Sequence, residues 1–391
     1  MLPELSRRFL DLPPYPLAGI PEAKRRLTAE GVDIIDLSAG DADLAPPPAA
    51  VKGIRDAVGD PANSRYPFNL GLAEFRTEIV RWMDRRFGVE MDPVKEIVPL
   101  LGSKDGIAHL PLAFMNPGDV AFIPDPGYAP YWSGVWLAGG EPMRVPLREE
   151  NDFLLPLDEL PQAAVARAKL LYLNYPNNPT TAVAPAEYLR DAVDFCCRNR
   201  LVLVYDNAYS ELAFDGYRPP SIFEIDGARE VALELHSLSK TFNMTGWRLG
   251  WAAGNPELVG VLSKVKSFVD TGVFLGIQAA GAAALRSWEE WVPSNIDVFR
   301  SRRDAAVAAL VEEGFQARSP RATMYLWIPI PTQESGLDFC RRALETEGVI
   351  VLPGSSMGQG GEGFFRIALT TSEERLREAA LRLGRLLSRA A

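Results

Sequence analysis

The sequence is poor in the residues that build metal centres and disulfide frameworks. Its 391 residues include only two histidines, His109 and His236, and three cysteines. Two histidines so far apart in sequence argue against a histidine-rich metal centre, so no metal is expected. Cys196 and Cys197 are adjacent, and an odd number of cysteines forms no complete disulfide framework. The cysteine content therefore favours the reducing cytoplasm as the location of the protein.

The sequence also lacks an excess of positive charge and a long hydrophobic run. It has 41 lysines and arginines against 51 aspartates and glutamates, a formal net charge of −10. An acidic chain is poorly suited to nonspecific binding of nucleic acid or anionic membranes. Its longest apolar run, residues 271–285, is shorter than the roughly 20 residues that cross a bilayer. We therefore expect neither a nucleic-acid nor a membrane partner.

An export signal is not expected either. Arg7 and Arg8 resemble part of a twin-arginine signal, but the residues DLPPYP follow where that signal needs an apolar stretch. This segment is therefore expected to belong to the cytoplasmic protein.

Short apolar runs alternate with helical patterns along most of the chain, which predicts a doubly wound α/β domain with a mostly parallel sheet. Helix is expected mainly at residues 103–115, 125–137, 185–200, 256–285 and 288–313. The predicted strands of the large domain are EIVPLL, VAFIPD, EPMRVPL, KLLYLNY, RLVLVYD, VALELHS and RLGWAAG, and those of the C-terminal part are MYLWIPI, GVIVLPG and FFRIALT. With 47% apolar residues the chain can build two cores. We expect a large domain at residues 45–285 and a smaller α+β domain formed by residues 1–44 and 286–391.

Three chemically distinctive residues lie at or near the ends of predicted strands. Lys240 comes soon after VALELHS, Asp206 ends RLVLVYD, and Arg248 follows Lys240 by eight positions. A lysine amine can form a Schiff base with an aldehyde, and a carboxylate in a nonpolar site can keep a pyridine nitrogen protonated. The planar fork of an arginine fits a phosphate. Together these residues indicate a site for pyridoxal 5'-phosphate (PLP).

The predicted topology would bring further polar residues to the same place. Asn174, Asp206 and Ser237 each end a strand, and ligands of open α/β sheets bind beyond the carboxyl ends of their strands. The segment 102–104, Gly-Ser-Lys, follows another strand and opens a helix, where free backbone N–H groups can bind phosphate. Taken singly, each residue has an ordinary alternative, such as an exposed lysine, a capping aspartate or a turn-forming asparagine. Their joint spacing favours the cofactor site.

The chain resembles the class I/II aminotransferases, PLP enzymes of fold type I, over essentially its whole length. The segments that carry the resemblance are LSAGDADLAPP, RYPFNLGLAEFR, LGSKDGIAHL, PDPGYAPYW, NYPNNPT, VYDNAYSEL, HSLSKTFNMTGWRLGW and FFRIALT. One departure is visible, because the family often has glycine where Thr181 follows NNPT. The resemblance implies a ping-pong transfer of an amino group from an L-amino acid to a 2-oxo acid.

The resemblance also implies the roles of the site residues. Lys240 would hold the cofactor as a Schiff base and then move the proton, Asp206 would pair with the pyridinium nitrogen, and Tyr209 would hold the ring 3'-oxygen. The cofactor-binding residues would be Ser103, Lys104, Tyr128, Asn178, Asp206, Tyr209, Ser237, Ser239, Lys240 and Arg248, with Tyr66 reaching the phosphate of the neighbouring subunit in a homodimer with shared active sites. The substrate site would be lined by Arg366, which would clamp the α-carboxylate, and by Asn178, Tyr128, Lys104, Gly40 and Tyr15.

The substrate is less well determined. LGSKDGIAHL, PPYPLA and DGYRPPSIFEIDGA most resemble the LL-diaminopimelate aminotransferases, whereas related enzymes act on aspartate, alanine, aromatic amino acids or succinylated diaminopimelate. A PLP-dependent β-elimination lyase would use the same site. The pair Ser237 and Lys240 also matches the serine–lysine signature of some acyl hydrolases, but no downstream KTG occurs. A noncatalytic ligand sensor of the same fold would need a fused DNA-binding module, which the sequence does not show.

Overall fold

The computed structural model describes residues 3–13, 20–68 and 70–388. Within these ranges the α-helices are α1 (Arg7–Leu10), α2 (Ile20–Ala29), α3 (Pro48–Val58), α4 (Ala73–Phe87), α5 (Ser103–His109), α6 (Pro111–Phe114), α7 (Ala129–Leu137), α8 (Gln162–Val165), α9 (Ala186–Asn199), α10 (Ala228–Val231), α11 (Leu238–Thr241), α12 (Pro256–Val269), α13 (Leu275–Arg286), α14 (Trp288–Glu312), α15 (Gly336–Glu347) and α16 (Glu373–Ser388). None of these helices combines the length and the apolar composition of a bilayer-spanning segment.

The strands are β1 (Ile35–Asp36), β2 (Ile97–Leu100), β3 (Val120–Asp125), β4 (Glu141–Pro146), β5 (Ala168–Asn174), β6 (Val202–Asp206), β7 (Ala232–Ser237), β8 (Gly250–Gly254), β9 (Tyr325–Pro329), β10 (Val349–Ile350), β11 (Leu352–Pro353) and β12 (Phe364–Ala368). Short 3-10 helices occupy Pro61–Ser64, Glu149–Asn151, Leu157–Glu159, Ile222–Glu224, Thr245–Trp247, Gly354–Met357 and Gln359–Gly361.

The main sheet has seven strands in the order β2-β8-β7-β6-β5-β3-β4. Strand β8 is antiparallel to both of its neighbours, β2 and β7. The other pairs, from β7 across to β4, are parallel. The carboxyl ends of six strands therefore meet at one edge, together with the amino end of β8. The predicted doubly wound, mostly parallel sheet is confirmed.

Alternate residues of the strands supply the cores on the two faces of this sheet, as the two-residue period of a strand requires. On one face, Phe122, Leu171 and Leu203 pack in a cluster that includes residues of α4, α9 and α13. On the other face, Ile123 and Val204 pack with residues of α5, α7 and α12. Because both faces are covered by helices, six of the strands are buried along almost their whole length, whereas the edge strand β4 has one buried residue, Val145.

A second core lies outside the main sheet. Antiparallel strands β11-β12-β9 form a three-stranded sheet, and β1 pairs in parallel with β10. Residues of α14, α15 and α16 pack with these strands, and Tyr209 and Phe214 also belong to this cluster. A smaller α+β unit built from both ends of the chain is therefore present, while the boundaries at residues 45 and 285 stay a prediction.

Two of the predicted helices are wrong in extent. Residues 125–128 are not helical, because Pro126 and Gly127 form a turn and Tyr128 is extended with φ −68° and ψ 124° before α7 begins. The helix predicted over 256–285 is two helices, since Thr271 and Gly272 have φ of 65° and 114° and break the chain between α12 and α13. The segment GVIVLPG likewise forms two short strands, β10 and β11, in different sheets.

Candidate active site

A cavity of about 260 Å³ lies at the carboxyl edge of the main sheet. Twelve of the residues predicted from the sequence line it: Gly40, Ser103, Lys104, Tyr128, Asn178, Asp206, Tyr209, Ser237, Ser239, Lys240, Arg248 and Arg366. One predicted residue among those described does not. Tyr66 is 72% exposed and lies outside the cavity of its own chain. Tyr15 lies outside the described residues.

Lys240 is held at the end of β7 by the short helix α11. Ser237 caps this helix, and its Oγ accepts a hydrogen bond from the backbone N–H of Ser239 at 3.2 Å. The half-buried Lys240 donates through Nζ to the carbonyl oxygen of Gly40. A Cβ on Gly40 would lie 1.9 Å from the hydroxyl oxygen of Tyr325, so only glycine allows this close approach. The lysine amine is therefore anchored inside the cavity by a residue from the N-terminal segment.

Asp206 ends β6 and is 4% exposed. Its Oδ2 accepts a hydrogen bond of 2.7 Å from the hydroxyl of Tyr131, and its Oδ1 has no hydrogen-bond partner among the described residues. Burial raises the pKa of Asp206 to about 6, although the hydrogen bond from Tyr131 acts in the opposite direction. A buried carboxylate with one oxygen still unpaired is well suited to a protonated nitrogen.

Two tyrosines face each other between the two cores. The hydroxyl oxygens of Tyr209 and Tyr325 are 3.3 Å apart, and both side chains are buried. Burial, reinforced by the negative charge of Asp206, holds the pKa of Tyr209 well above its usual value, so this hydroxyl keeps its proton. Tyr209 can therefore donate a hydrogen bond to an oxygen in the cavity.

Arg366, on β12, reaches the cavity from the smaller sheet. One terminal nitrogen, Nη1, donates to Asn178 Oδ1 at 2.7 Å, and the other, Nη2, donates to the carbonyl oxygen of Ser38 at 2.6 Å. The guanidinium also lies over the ring of Tyr325, 4.1 Å from its centroid. Its Nε is buried without a hydrogen-bond partner among the described residues. The fork is thus fixed in place by two of its five N–H donors, and the unpartnered Nε–H is among those left to bind a carboxylate.

Arg248 also lines the cavity. Its guanidinium donates to the carbonyl oxygens of Leu101 at 3.0 Å and Thr245 at 2.8 Å. A Cβ on Gly102, which has φ 81°, would lie 2.7 Å from Nη2 of Arg248. Glycine therefore permits both the turn before α5 and the close approach of the guanidinium. The hydroxyl-bearing residues Ser103, Ser237 and Ser239 line the same cavity, so the part near Arg248 can bind an anion.

The sequence matches the family described as aminotransferase class I and II over residues 32–383. The chain belongs to the class I and II aminotransferases.

Individual members and solved structures agree with this assignment. The aminotransferase is 46% identical over 384 residues to an LL-diaminopimelate aminotransferase of Nitratidesulfovibrio vulgaris, covering 98% of this chain and 99% of the other. It superimposes on substrate-bound BacF from Bacillus subtilis with a TM-score of 0.94, 34% identity and 98% of both chains covered. It is also similar to a probable N-succinyldiaminopimelate aminotransferase from Thermus thermophilus, with a TM-score of 0.89, 39% identity and 94% and 98% of the two chains covered. The predicted fold type I is confirmed.

This aminotransferase is PLP-dependent, as its family is. The donor set of the cavity fits that cofactor. The unpartnered oxygen of Asp206 can accept a hydrogen bond from a ring N–H, and the amine of Lys240 can form a Schiff base with an aldehyde. The end near Arg248 can bind a phosphate. Asp206 ends β6, Lys240 lies on α11 and Arg248 lies in the turn before β8, so the cavity offers separate binding points for separate parts of one ligand.

Several residues of the site were not predicted from the sequence. Tyr131 and Tyr325 line the cavity, and Ser38 binds Arg366 through its backbone. Tyr131 is 75 positions from Asp206, and Tyr325 is 116 positions from Tyr209. No local pattern signals such pairings. The one available signal for Tyr131 was its place three residues after Tyr128, one turn along a helix that begins at the cavity.

The described residues do not form the serine–lysine pair that an acyl hydrolase would need. Lys240 donates to Gly40, and Ser237 Oγ accepts from its own helix, with no hydrogen bond between the two side chains among the described residues. His236 is 2% exposed and stacks on Trp251 with ring centroids 4.9 Å apart, so it is a packed core residue.

Proposed function

We propose that this aminotransferase takes an amino group from LL-diaminopimelate, or from a closely related long L-amino acid, and passes it to a 2-oxo acid. The relatives named LL-diaminopimelate aminotransferases carry the proposal, since several of them are 43–47% identical over nearly the full chain. The probable N-succinyldiaminopimelate aminotransferase supports a second donor of the same carbon skeleton. A β-elimination lyase has no such support.

The substrate α-carboxylate is proposed to bind Arg366, whose fork is already held by Asn178 and Ser38. Because the fork of Arg366 is fixed and can bind both carboxylate oxygens, it limits the orientations of the substrate. The bond from the α-carbon that is to be broken then has one defined direction. The lysine amine of Lys240 is the proposed proton carrier, because it is the basic group that the structure anchors deep in the cavity.

Arg248, Ser103 and Ser237 are proposed to hold the phosphate of the cofactor, and Tyr128 would stack on its ring. When bound, PLP supplies an aldehyde for the lysine amine and a ring that accepts electrons from the substrate. Asp206 would keep the ring nitrogen protonated, and the hydroxyl of Tyr209 would donate to the ring oxygen. Lys104, Asn178 and Ser239 are the other proposed cofactor contacts, and Gly40 and Tyr15 the other proposed substrate contacts.

A homodimer with shared active sites is also proposed. The support is the exposed pair Tyr66 and Phe68, whose ring centroids are 5.6 Å apart. Exposed aromatic clusters are more common at protein–protein contacts than on isolated surfaces. The cytoplasmic location stays a prediction from the cysteine content.

A half-reaction screen tests the proposed function. Enzyme loaded with PLP is mixed with one amino acid at a time, and formation of pyridoxamine phosphate is followed by absorbance. The donors are LL-diaminopimelate, N-succinyl-LL-diaminopimelate, aspartate, alanine and phenylalanine. The proposal expects the highest rate per concentration with LL-diaminopimelate. A higher rate with aspartate, alanine or phenylalanine would refute it, and release of ammonia in place of pyridoxamine phosphate would indicate elimination.

A further inference from the structure

A second cavity, of about 850 Å³, lies next to the cofactor cavity. It is enclosed by residues of α7, by the loop at residues 355–359 and by Leu12 and Pro13 of the N-terminal segment. Five residues line both cavities and form the boundary between them: Lys104, Tyr128, Ala129, Ser356 and Met357. A ligand in the first cavity can therefore extend into the second by passing these side chains.

The volumes show why such an extension is needed. Sites for small molecules usually measure roughly 300–1,000 Å³, so the cofactor cavity of about 260 Å³ leaves little room for a long substrate beside PLP. A long amino acid bound at Arg366 must place its far end elsewhere. The adjoining cavity provides that space close to Arg366. Met357 lines both cavities, and its sulfur lies 3.8 Å from Arg366 Nη1.

The charged residues that line the second cavity indicate which chemical group the far end of the substrate carries. Among the described lining residues the charged side chains are Lys104 and Arg144, and both are cations. Arg144, on β4, lies over the ring of Trp132, 5.9 Å from its centroid, and is within ion-pair distance of no carboxylate among the described residues. The neighbouring Asp125 is only 4% exposed and accepts the N–H of Gly360 at 3.0 Å, so it does not line the cavity.

The N-terminal segment is fastened over this cavity. Nη1 of Arg8 donates to the carbonyl oxygen of Leu137 at 3.0 Å, and the indole N–H of Trp136 donates to the carbonyl oxygen of Arg8 at 3.0 Å. These two bonds hold α1 against α7 and place Leu12 and Pro13 at the cavity. The wall they add is apolar and suits a methylene chain.

We propose that this second cavity binds the far end of a long dicarboxylic amino acid and that Arg144 binds its distal carboxylate. The proposal rests on the proposed function for the class of substrate, and it adds the residue that would distinguish a diacid from a monoacid of equal length. Arg144 is exposed and carries a planar fork, so it can pair with a carboxylate. The nearby buried Asp125 attracts it, but not at ion-pair distance.

The test compares two seven-carbon donors, 2-aminopimelate, which has a distal carboxylate, and 2-aminoheptanoate, which has a methyl group there. In the wild-type enzyme we expect a higher kcat/KM for 2-aminopimelate. Arg144→Gln should lower that value roughly tenfold or more, mainly through KM, and change the value for 2-aminoheptanoate less than about twofold. The control is Arg148→Gln, an exposed arginine paired with Glu159 at 2.8 Å, which should change neither.

The outcomes separate this proposal from the proposed function. Equal losses for both donors, or no loss for 2-aminopimelate, would overturn the role of Arg144. A wild-type enzyme that shows the Arg144-dependent preference yet does not react with LL-diaminopimelate would overturn only the proposed natural donor. Should Arg144→Gln fail to fold, Arg144→Lys provides the second variant. It keeps a point charge without the fork, so a partly retained preference for the diacid supports the proposal and an unchanged preference contradicts it.

Discussion

The hydroxyl of Tyr131 donates to Oδ2 of Asp206 and leaves Oδ1 without a partner among the described residues. Tyr131 is 1% exposed, and burial together with the charge of Asp206 holds the pKa of Tyr131 well above its usual value. The tyrosine therefore remains a donor throughout the range in which Asp206 titrates. It acts as a positioning residue that favours the ionised carboxylate and determines which oxygen stays available.

This arrangement predicts a pH dependence of PLP binding. In the cofactor-free protein the pKa of Asp206 is raised to about 6, so PLP affinity should weaken as the pH falls through that value and the carboxylate gains a proton. Tyr131→Phe removes a hydrogen bond to the charged form and should move the midpoint upward by roughly one pH unit. Fluorescence titration of cofactor-free protein with PLP from pH 5 to 8 measures this.

The control is Tyr188→Phe, which removes another hydrogen-bonded tyrosine hydroxyl, bound to the carbonyl oxygen of Leu155 outside the cavity. It should leave the midpoint unchanged. A midpoint in Tyr131→Phe equal to that of the wild type would show that the hydroxyl does not influence the ionisation of Asp206.

The sequence allowed the types of side chain at the site to be predicted, but not the hydrogen bonds that hold them. Residues such as Lys240, Asp206 and Arg366 are recognisable because they lie in short motifs that resemble those of the family. The backbone oxygens of Gly40 and Ser38, which bind Lys240 and Arg366, carry no signal of residue type. Thr181, which stands where the family often has glycine, has a φ of 64°, a left-handed conformation that is unfavourable for a β-branched residue.

At the scale of elements, strands were predicted more accurately than helix ends. VAFIPD matches β3 over its whole length, because an apolar run bounded by turn residues has few alternative registers. The break between α12 and α13 was not predicted, because a left-handed conformation is not expected at a threonine such as Thr271. The cofactor end of the site depends on such junctions, since Gly102 and Arg248 lie in turns between elements.

A buried ion cluster ties two of these elements together. Lys266, on α12, is fully buried, and its Nζ contacts Asp105 of α5 and Asp270 Oδ2, the latter at 2.8 Å. Asp105 in turn accepts the N–H of Leu101 at 2.9 Å, in the turn that positions Arg248. His109 Nδ1 lies 2.5 Å from Asp105 Oδ1. The ammonium of Lys266 supplies the positive charge among these acidic groups, so the cluster is structural.

Lys266→Met is therefore expected to destabilise the protein by roughly 3–5 kcal/mol, because it leaves two carboxylates without their buried cation. It should also weaken PLP binding by loosening the turn at Leu101. Urea denaturation with and without PLP measures both effects. Lys264→Met, an exposed lysine on the same helix, is the matched control. A free energy of unfolding equal to that of the control would show that Lys266 carries no such role.

At the scale of the whole molecule, the proposed dimer explains surface features that one chain leaves without a function. Tyr66 and Phe68 are 72% and 69% exposed, and Phe268 is 86% exposed. Leu72 N donates to Gln278 Oε1 at 2.8 Å, which places the Tyr66 segment beside the start of α13. Within one chain, the proposed site lies between the two cores, since Asp206 comes from the main sheet and Arg366 from the smaller one.

Mixing two inactive variants tests whether sites are shared. If Tyr66 acts in the partner's site, a dimer of one Lys240→Ala chain and one Tyr66→Phe chain contains one site with both defects and one fully native site. After random reassembly of equal amounts, about a quarter of all sites should regain native PLP affinity and turnover. The unmixed variants are the controls. No recovery in mixtures shown to contain mixed dimers would mean that Tyr66 does not serve the neighbouring site.

The account as a whole depends on Lys240 being the residue that joins the cofactor covalently. The most direct measurement is peptide mass spectrometry of PLP-loaded protein after reduction with borohydride. The account predicts a pyridoxyl adduct on Lys240 in the wild type and no adduct at that position in Lys240→Ala. An adduct confined to Lys104 or another lysine, or none on the wild-type chain, would contradict it.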